Sequence, residues 1–115
     1  MHELSIVEAL IEQVEKEVEH SGQSGRVVHV ELVIGRLSGV SCDSIRFVLQ
    51  LLAPNTILDG AEVRITEPRA SCRCRDCDST TEIEELLIEC PNCRSRNIVI
   101  EGGREMLLQS IELED

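Results

Sequence analysis

The sequence has almost no aromatic side chains: one Phe, no Tyr and no Trp. Any core must therefore be built from Val, Ile and Leu, enough for one modest core but not for two. Basic residues are also scarce, with 11 Lys plus Arg against 22 Asp plus Glu and a formal net charge of −11. Nucleic-acid binding needs a basic face that neutralises phosphates, so this balance argues against it. There is no His-Glu-x-x-His, no nucleophile beside an evident base and no phosphate loop, since Gly102-Gly103 alone is too little. No apolar run approaches the ~18 residues of a membrane span. The opening Met1-His2-Glu3-Leu4 leads into an acidic amphipathic pattern rather than an apolar signal stretch.

Cysteine, by contrast, is abundant and patterned. Cys74-Arg-Asp-Cys77 and Cys90-Pro-Asn-Cys93 are separated by twelve residues. Each pair offers two sulfurs across one tight turn, and the spacer allows a short hairpin to bring the pairs together. Four thiolates suit tetrahedral zinc, the default occupant, although an iron centre would use the same sulfurs. No position is reserved for an open coordination site, which points to a structural metal rather than a catalytic one. Cys72 stands as a competing ligand, but it would form a wider, unsymmetrical pair with Cys77, so Cys74 is favoured. A single pattern accounting for four of the six Cys fits a reducing cytoplasm better than a disulfide scaffold. From Cys72 to Glu101 there are four Arg against seven Asp plus Glu, so the module is itself acidic. Arg73, Arg75, Arg94 and Arg96 gather near the Cys pairs, either offsetting thiolate charge or meeting an acidic partner. A thiol-redox enzyme built on Cys90-Pro-Asn-Cys93 would need thiols that metal leaves free.

Elsewhere the periodicity predicts an α+β fold. Leu4, Val7, Ile11, Val14 and Val18 recur at helical spacing, giving a surface helix that ends near His20. It begins either at a Ser5–Glu8 capping box or at His2 or Glu3. Val28, Val30, Leu32 and Ile34 alternate as a strand, closed by Gly35. Ser41 caps a second helix over 42–52, with Ile45, Val48, Leu49 and Leu52 inward and Pro54-Asn55 as its stop. Ala61, Val63 and Ile65 form another strand, and 98–100 a short one. The last strand, 106–113, turns Leu107, Ile111 and Leu113 inward, with Gln109 an awkward exception. Ile83, Leu86, Leu87 and Ile88 supply the small core of the cysteine module. Two helices on one face of a three-stranded sheet is the compact solution. Residues 1–69 and 104–115 form the main domain, and a four-cysteine zinc-ribbon module at 70–103 is inserted between its strands.

A second metal site can be read at the start of the chain. His2 puts an imidazole within chelate reach of a terminal amine and of backbone amides. Nickel(II) favours such tetragonal nitrogen donors. Taken alone, His2 is more often an incidental surface residue, and Glu3 more often a carboxylate favoured by the helix dipole. The chain as a whole, however, resembles the HypA/HybF family of hydrogenase nickel-insertion proteins. The resemblance rests on Met1-His2-Glu3-Leu4-Ser5-Ile6-Val7, the Ile34-Gly35 to Ser38-Gly39-Val40 segment, Ile45-Arg46-Phe47, Leu58-Asp59-Gly60-Ala61, both Cys pairs and Gly103-Arg104-Glu105-Met106.

That resemblance implies a nickel metallochaperone without catalytic turnover. It implies nickel held at His2 and nearby backbone nitrogens with Glu3 in support, and structural zinc at Cys74, Cys77, Cys90 and Cys93. The partners it implies are a GTPase resembling HypB, the large subunit of a [NiFe]-hydrogenase and, in some organisms, urease maturation proteins. Acidic surface and exposed strand edges are compatible with a monomer or a weak dimer. One departure is that Asp78 and Arg94 follow the Cys pairs where family members often carry Gly. The competing reading is a zinc-stapled adaptor that binds no nickel of its own.

Overall fold

The computed structural model describes residues 2–115; the Met1 amine invoked above lies outside them. The elements in order are α1 (Glu3–Ser21), β1 (Arg26–Ile34), α2 (Cys42–Leu52), β2 (Glu62–Thr66), β3 (Ala70–Cys74), β4 (Thr80–Ile83), β5 (Ile98–Glu101) and β6 (Met106–Glu114). The fold is two helices packed on a sheet, with an inserted four-cysteine module. The chain divides into two compact units. One holds residues up to Leu32, Val40–Ile65 and Leu107–Asp115; the other holds Val33–Gly39 and Thr66–Met106.

In the first unit the sheet runs β2-β1-β6. Gly25 lies against the Glu114 carbonyl, and the Gly35 N–H bonds the Glu105 carbonyl at 2.7 Å, so β6 runs antiparallel to β1. Of the two starts open to α1, the chain takes the earlier. His2 is the N-cap residue, without a side-chain capping bond, and Ile6 N–H reaches its carbonyl at 3.0 Å. Val7, Leu10 and Val14 fill the buried stripe, and Gly22 closes the helix in the left-handed conformation at φ 69°. The α2 start is as the sequence implied: Ser41 Oγ accepts the Ser44 N–H at 3.2 Å. α1 packs on α2. Ile45, Leu49 and Leu58 complete an aliphatic core with Val27, Val30 and Leu32.

Strand phase needs two corrections. In β1, Val30, Leu32 and Ile34 are buried as expected, but Val27 is buried in place of Val28. In β6, Leu108, Ile111 and Leu113 are half-buried, while Leu107 is 48% exposed. The inward set therefore steps by three between Leu108 and Ile111, and strict alternation placed Leu107 on the wrong face. The same slip removes the Gln109 anomaly, since that side chain is exposed.

His29 is clamped across β1 and β2. Its Nε2 lies 3.0 Å from Glu31 Oε1 and its Nδ1 2.8 Å from Glu62 Oε1. A carboxylate at each ring nitrogen favours the protonated imidazolium, in which both nitrogens donate. The Glu31 hydrogen bond, then that of Glu62, raises the pKa above its ordinary 6.5 against the opposing effect of burial. A raised histidine stabilises fully below pH 6.5, and that contribution fades as pH rises through the folded value. An NMR titration should find His29 titrating above the ordinary value of 6.5. His29→Gln should flatten the pH dependence of unfolding above pH 6.5; an unchanged profile would refute the clamp.

The second unit is the sheet β4-β3-β5, with β3 central and antiparallel to both neighbours. Cys72 sits opposite Thr81 on one side and Ile100 on the other. Ala70, Cys72 and Ile83 form its core, covered by Leu37, Leu87, Ile98 and Ile100. Leu86 and Ile88, expected in this core, are instead 63% and 77% exposed. The 84–89 segment bends, and only Leu87 between them turns inward. Leu37 comes from the link between β1 and α2. That link is stitched into this unit by Arg36 N–H to Pro68 O at 2.9 Å and Leu37 N–H to Gly103 O at 2.6 Å.

Candidate metal centre

Two near-identical turns build the centre. In the first, the Cys77 N–H points at Cys74 Sγ (3.4 Å) and the Asp78 N–H at Cys74 O (3.1 Å). In the second, the Cys93 N–H points at Cys90 Sγ (3.4 Å) and the Arg94 N–H at Cys90 O (2.9 Å). Each turn then returns a carbonyl to its first cysteine: Ser79 O to Cys74 N–H and Ser95 O to Cys90 N–H. The turns end in the left-handed region, at φ 65° for Asp78 and 64° for Arg94. Glycine would enter that region freely, which gives the departure at these two positions its physical meaning. Asp tolerates the conformation better than Arg does.

The four sulfurs all lie within 4.8 Å of one another. Cys74 and Cys93 Sγ are 3.6 Å apart, and Cys77 and Cys90 Sγ 3.7 Å. A tetrahedron with metal–sulfur bonds of about 2.3 Å has edges of about 3.8 Å, so these residues fit a tetrahedral thiolate ion. Among the described residues this is the one group of three or more His, Cys, Asp or Glu placed to share an ion. Backbone N–H groups aimed at Cys74 and Cys90 Sγ stabilise negative sulfur.

Side chains extend this support. Ser79 Oγ lies 3.1 Å from Cys77 Sγ and Asn92 Nδ2 3.5 Å from it. Those contacts, Ser79 foremost, hold the Cys77 thiol down to about 6. Cys93 behaves oppositely. The Ser95 backbone N–H lowers it, but burial and the crowd of Cys74, Cys77 and Cys90 outweigh that and push it up to about 12. Four thiols this close cannot all ionise without a cation between them. Asp76 latches the turns together, accepting from Ser95 Oγ and from Asn97 Nδ2 at 3.3 Å. Those two bonds lower its pKa, the Ser95 one most.

Cys72 is excluded from the cluster. It is buried in the β-sheet core, and burial, followed by repulsion from neighbouring thiolates, raises its pKa. Asp76, Ser79, Asn92, Ser95 and Asn97 were not singled out from sequence. A signal for the serines was present, since each pair extends to Cys-x2-Cys-x-Ser, at Ser79 and Ser95. His2 stands exposed one residue before α1, and Glu3 is half-buried in its first turn.

Comparison with known proteins then decides the family. A family model described as hydrogenase/urease nickel incorporation, metallochaperone, hypA matches residues 1–113. The chain belongs to the HypA family. A hydrogenase maturation factor HypA from Chlorobium limicola is 37% identical over 115 residues, covering 100% of this chain and 98% of that protein. One from Chlorobaculum parvum is 38% identical over 114 residues, covering 99% and 100%. The solution structure of the Ni metallochaperone HypA from Helicobacter pylori superposes with a TM-score of 0.66 at 26% identity, over 98% of this chain and 97% of that one. As a HypA-family member, the chain is a metallochaperone rather than an enzyme. Among the described residues, no helix is long and apolar enough to cross a membrane.

Proposed function

We propose that this HypA-family chain is a cytoplasmic carrier of nickel(II) that binds its cargo at His2 and hands it to the hydrogenase maturation machinery. The observation that carries the reading is the position of His2, exposed and immediately ahead of α1, in a chain matched to the family from residue 1. The first N–H groups of a helix have no intrahelical acceptor. An amide there that gives up its proton to nickel therefore forfeits no helix hydrogen bond. The His2 imidazole and adjacent backbone nitrogens supply the tetragonal donor set that nickel(II) favours. A cation at a helix N-terminus opposes the dipole, and the Glu3 carboxylate in the first turn offsets this.

Zinc is the proposed resident ion of Cys74, Cys77, Cys90 and Cys93, and it supplies cross-linking rather than reaction chemistry. The proposed recipients follow the family: exchange with a HypB-like GTPase, then delivery to the [NiFe]-hydrogenase large subunit, with urease maturation as a second destination.

Elemental analysis of untagged protein equilibrated with limiting nickel tests the plan. It should find one nickel and one zinc per chain, with His2→Ala losing the nickel and keeping the zinc. Zinc alone in both forms would leave the adaptor reading, or a nickel site completed by a partner.

A further inference from the structure

The four sulfurs of the metal centre are unequally shielded. Of the chain's cysteines only Cys93 is exposed; Cys74 and Cys90 are buried and Cys77 is half-buried. Hydrogen bonding divides them in the same way. Cys90 Sγ meets the Asn92 and Cys93 N–H groups at 3.3 and 3.4 Å, and Cys77 Sγ meets Ser79 Oγ and Asn92 Nδ2 at 3.1 and 3.5 Å. For Cys93 the one such donor is the Ser95 N–H. With an ion bound all four sulfurs are thiolates, and the thiolate is the form that oxidants attack. Hydrogen bonds draw charge away from sulfur and burial denies an oxidant access, so Cys93 is the most reactive of the four.

We propose that Cys93 is an oxidation site, at which the metal-bound thiolate reduces a hydroperoxide and the ion is released. For the identity of that ion the inference rests on the zinc reading above. With hydrogen peroxide, the Cys93 sulfur attacks one oxygen: an S–O bond forms, the O–O bond breaks and hydroxide leaves with the electron pair. Sulfur is oxidised to sulfenic acid and the peroxide is reduced. The Cys74 thiolate then attacks the Cys93 sulfur, forming a disulfide and expelling a second hydroxide. Two thiolates and one peroxide thus give one disulfide and two hydroxides.

Cys74 is the resolving sulfur because it already lies 3.6 Å from Cys93 Sγ and accepts only the Cys77 N–H. At that separation a disulfide of about 2.05 Å closes without first unfolding either turn. Zinc is left with Cys77 and Cys90 where it takes four ligands, and it departs. The cross-link between the two turns goes with it.

The test treats the full, zinc-loaded chain with hydrogen peroxide, once with dimedone to trap sulfenic acid and once with a chromophoric zinc chelator. Peptide mapping should find the first dimedone adduct at Cys93. Without the trap it should find a Cys74–Cys93 disulfide, with about one zinc released per peroxide consumed. Dithiothreitol and added zinc should reverse the change. Cys93→His keeps a zinc ligand that cannot form a sulfenic acid, and should slow zinc release at least about tenfold. Cys42→Ala, at a buried thiol of α2, should leave site and rate unchanged. If Cys93→His does not load with zinc, the trapped position in the unaltered chain decides alone. A first adduct at Cys77 or Cys72, or zinc released as fast from Cys93→His, overturns the proposal. Elemental analysis before oxidation keeps the two readings apart: an ion other than zinc refutes the zinc reading, and the trapped position still decides this one.

Discussion

Gly35→Ala should destabilise the metal-binding unit by about 3 kcal/mol or more, despite adding one methyl group. A Cβ at Gly35 would sit 2.2 Å from both C and O of Gly103 and 2.7 Å from Glu105 Oε1. The first two are backbone atoms, so no rotamer change relieves the clash. Separating the segments stretches two bonds, Gly35 N–H to Glu105 O and Leu37 N–H to Gly103 O, at 2.7 and 2.6 Å. Each such bond is worth about 1 kcal/mol net. Glu105 Oε1 is already buried there without a hydrogen-bond partner among the described residues, so the site has no polar slack. Gly22→Ala is the control. It adopts a positive φ of 69° but meets nothing within 4 Å, so only the conformational cost of about 1 kcal/mol applies. Denaturant unfolding of zinc-loaded variants ranks the two. Equal effects, or a Gly35→Ala change below about 0.5 kcal/mol, would show that the packed segments readily part.

This close packing explains which features could be read from sequence and which could not. The four-cysteine cluster was legible because two Cys-x2-Cys pairs at that spacing fold their sulfurs together. The Ser41 cap was legible because capping is local. The start of α1 was not, because Ser5 and His2 both satisfy local rules and only the folded chain chooses His2. β3 was also hidden. Ala70-Ser-Cys-Arg-Cys74 has little strand signature of its own and becomes a strand through pairing with both β4 and β5. The membership of Val33–Gly39 in the metal unit is likewise non-local: Leu37 packs against the Ala70, Cys72 and Ile83 core from a distant part of the sequence. In β6 the alternation rule failed because one slip of phase, invisible in the run Met-Leu-Leu-Gln-Ser-Ile, exchanged Leu107 for Leu108.

Removing the metal, by chelation or by Cys90→Ser, should melt the β3–β4–β5 unit while α1 and α2 persist. The unit has about 48 residues. Domains below roughly 70 residues seldom stand on a hydrophobic core alone. Its core has no aromatic ring, and one of its three buried members is Cys72. Cys74 and Cys90 are almost fully buried, so without an ion the unit must hold two buried thiols against two more at under 4.8 Å. Structural zinc contributes roughly 10–16 kcal/mol in small modules, far more than the other interactions here supply. The first unit keeps its own core of Val7, Leu10, Val14, Val30, Ile45 and Leu49, none of which touches a metal ligand by sequence or sheet. Absence of Trp and Tyr leaves little fluorescence to follow, so hydrogen exchange by element is the readout. Protection should vanish in β3, β4 and β5 and survive in α1 and α2. Residual protection across β3 in the apo protein would mean that the aliphatic core suffices. Loss in α1 and α2 as well would mean that the two units fold as one, with the Val33–Gly39 link carrying the coupling.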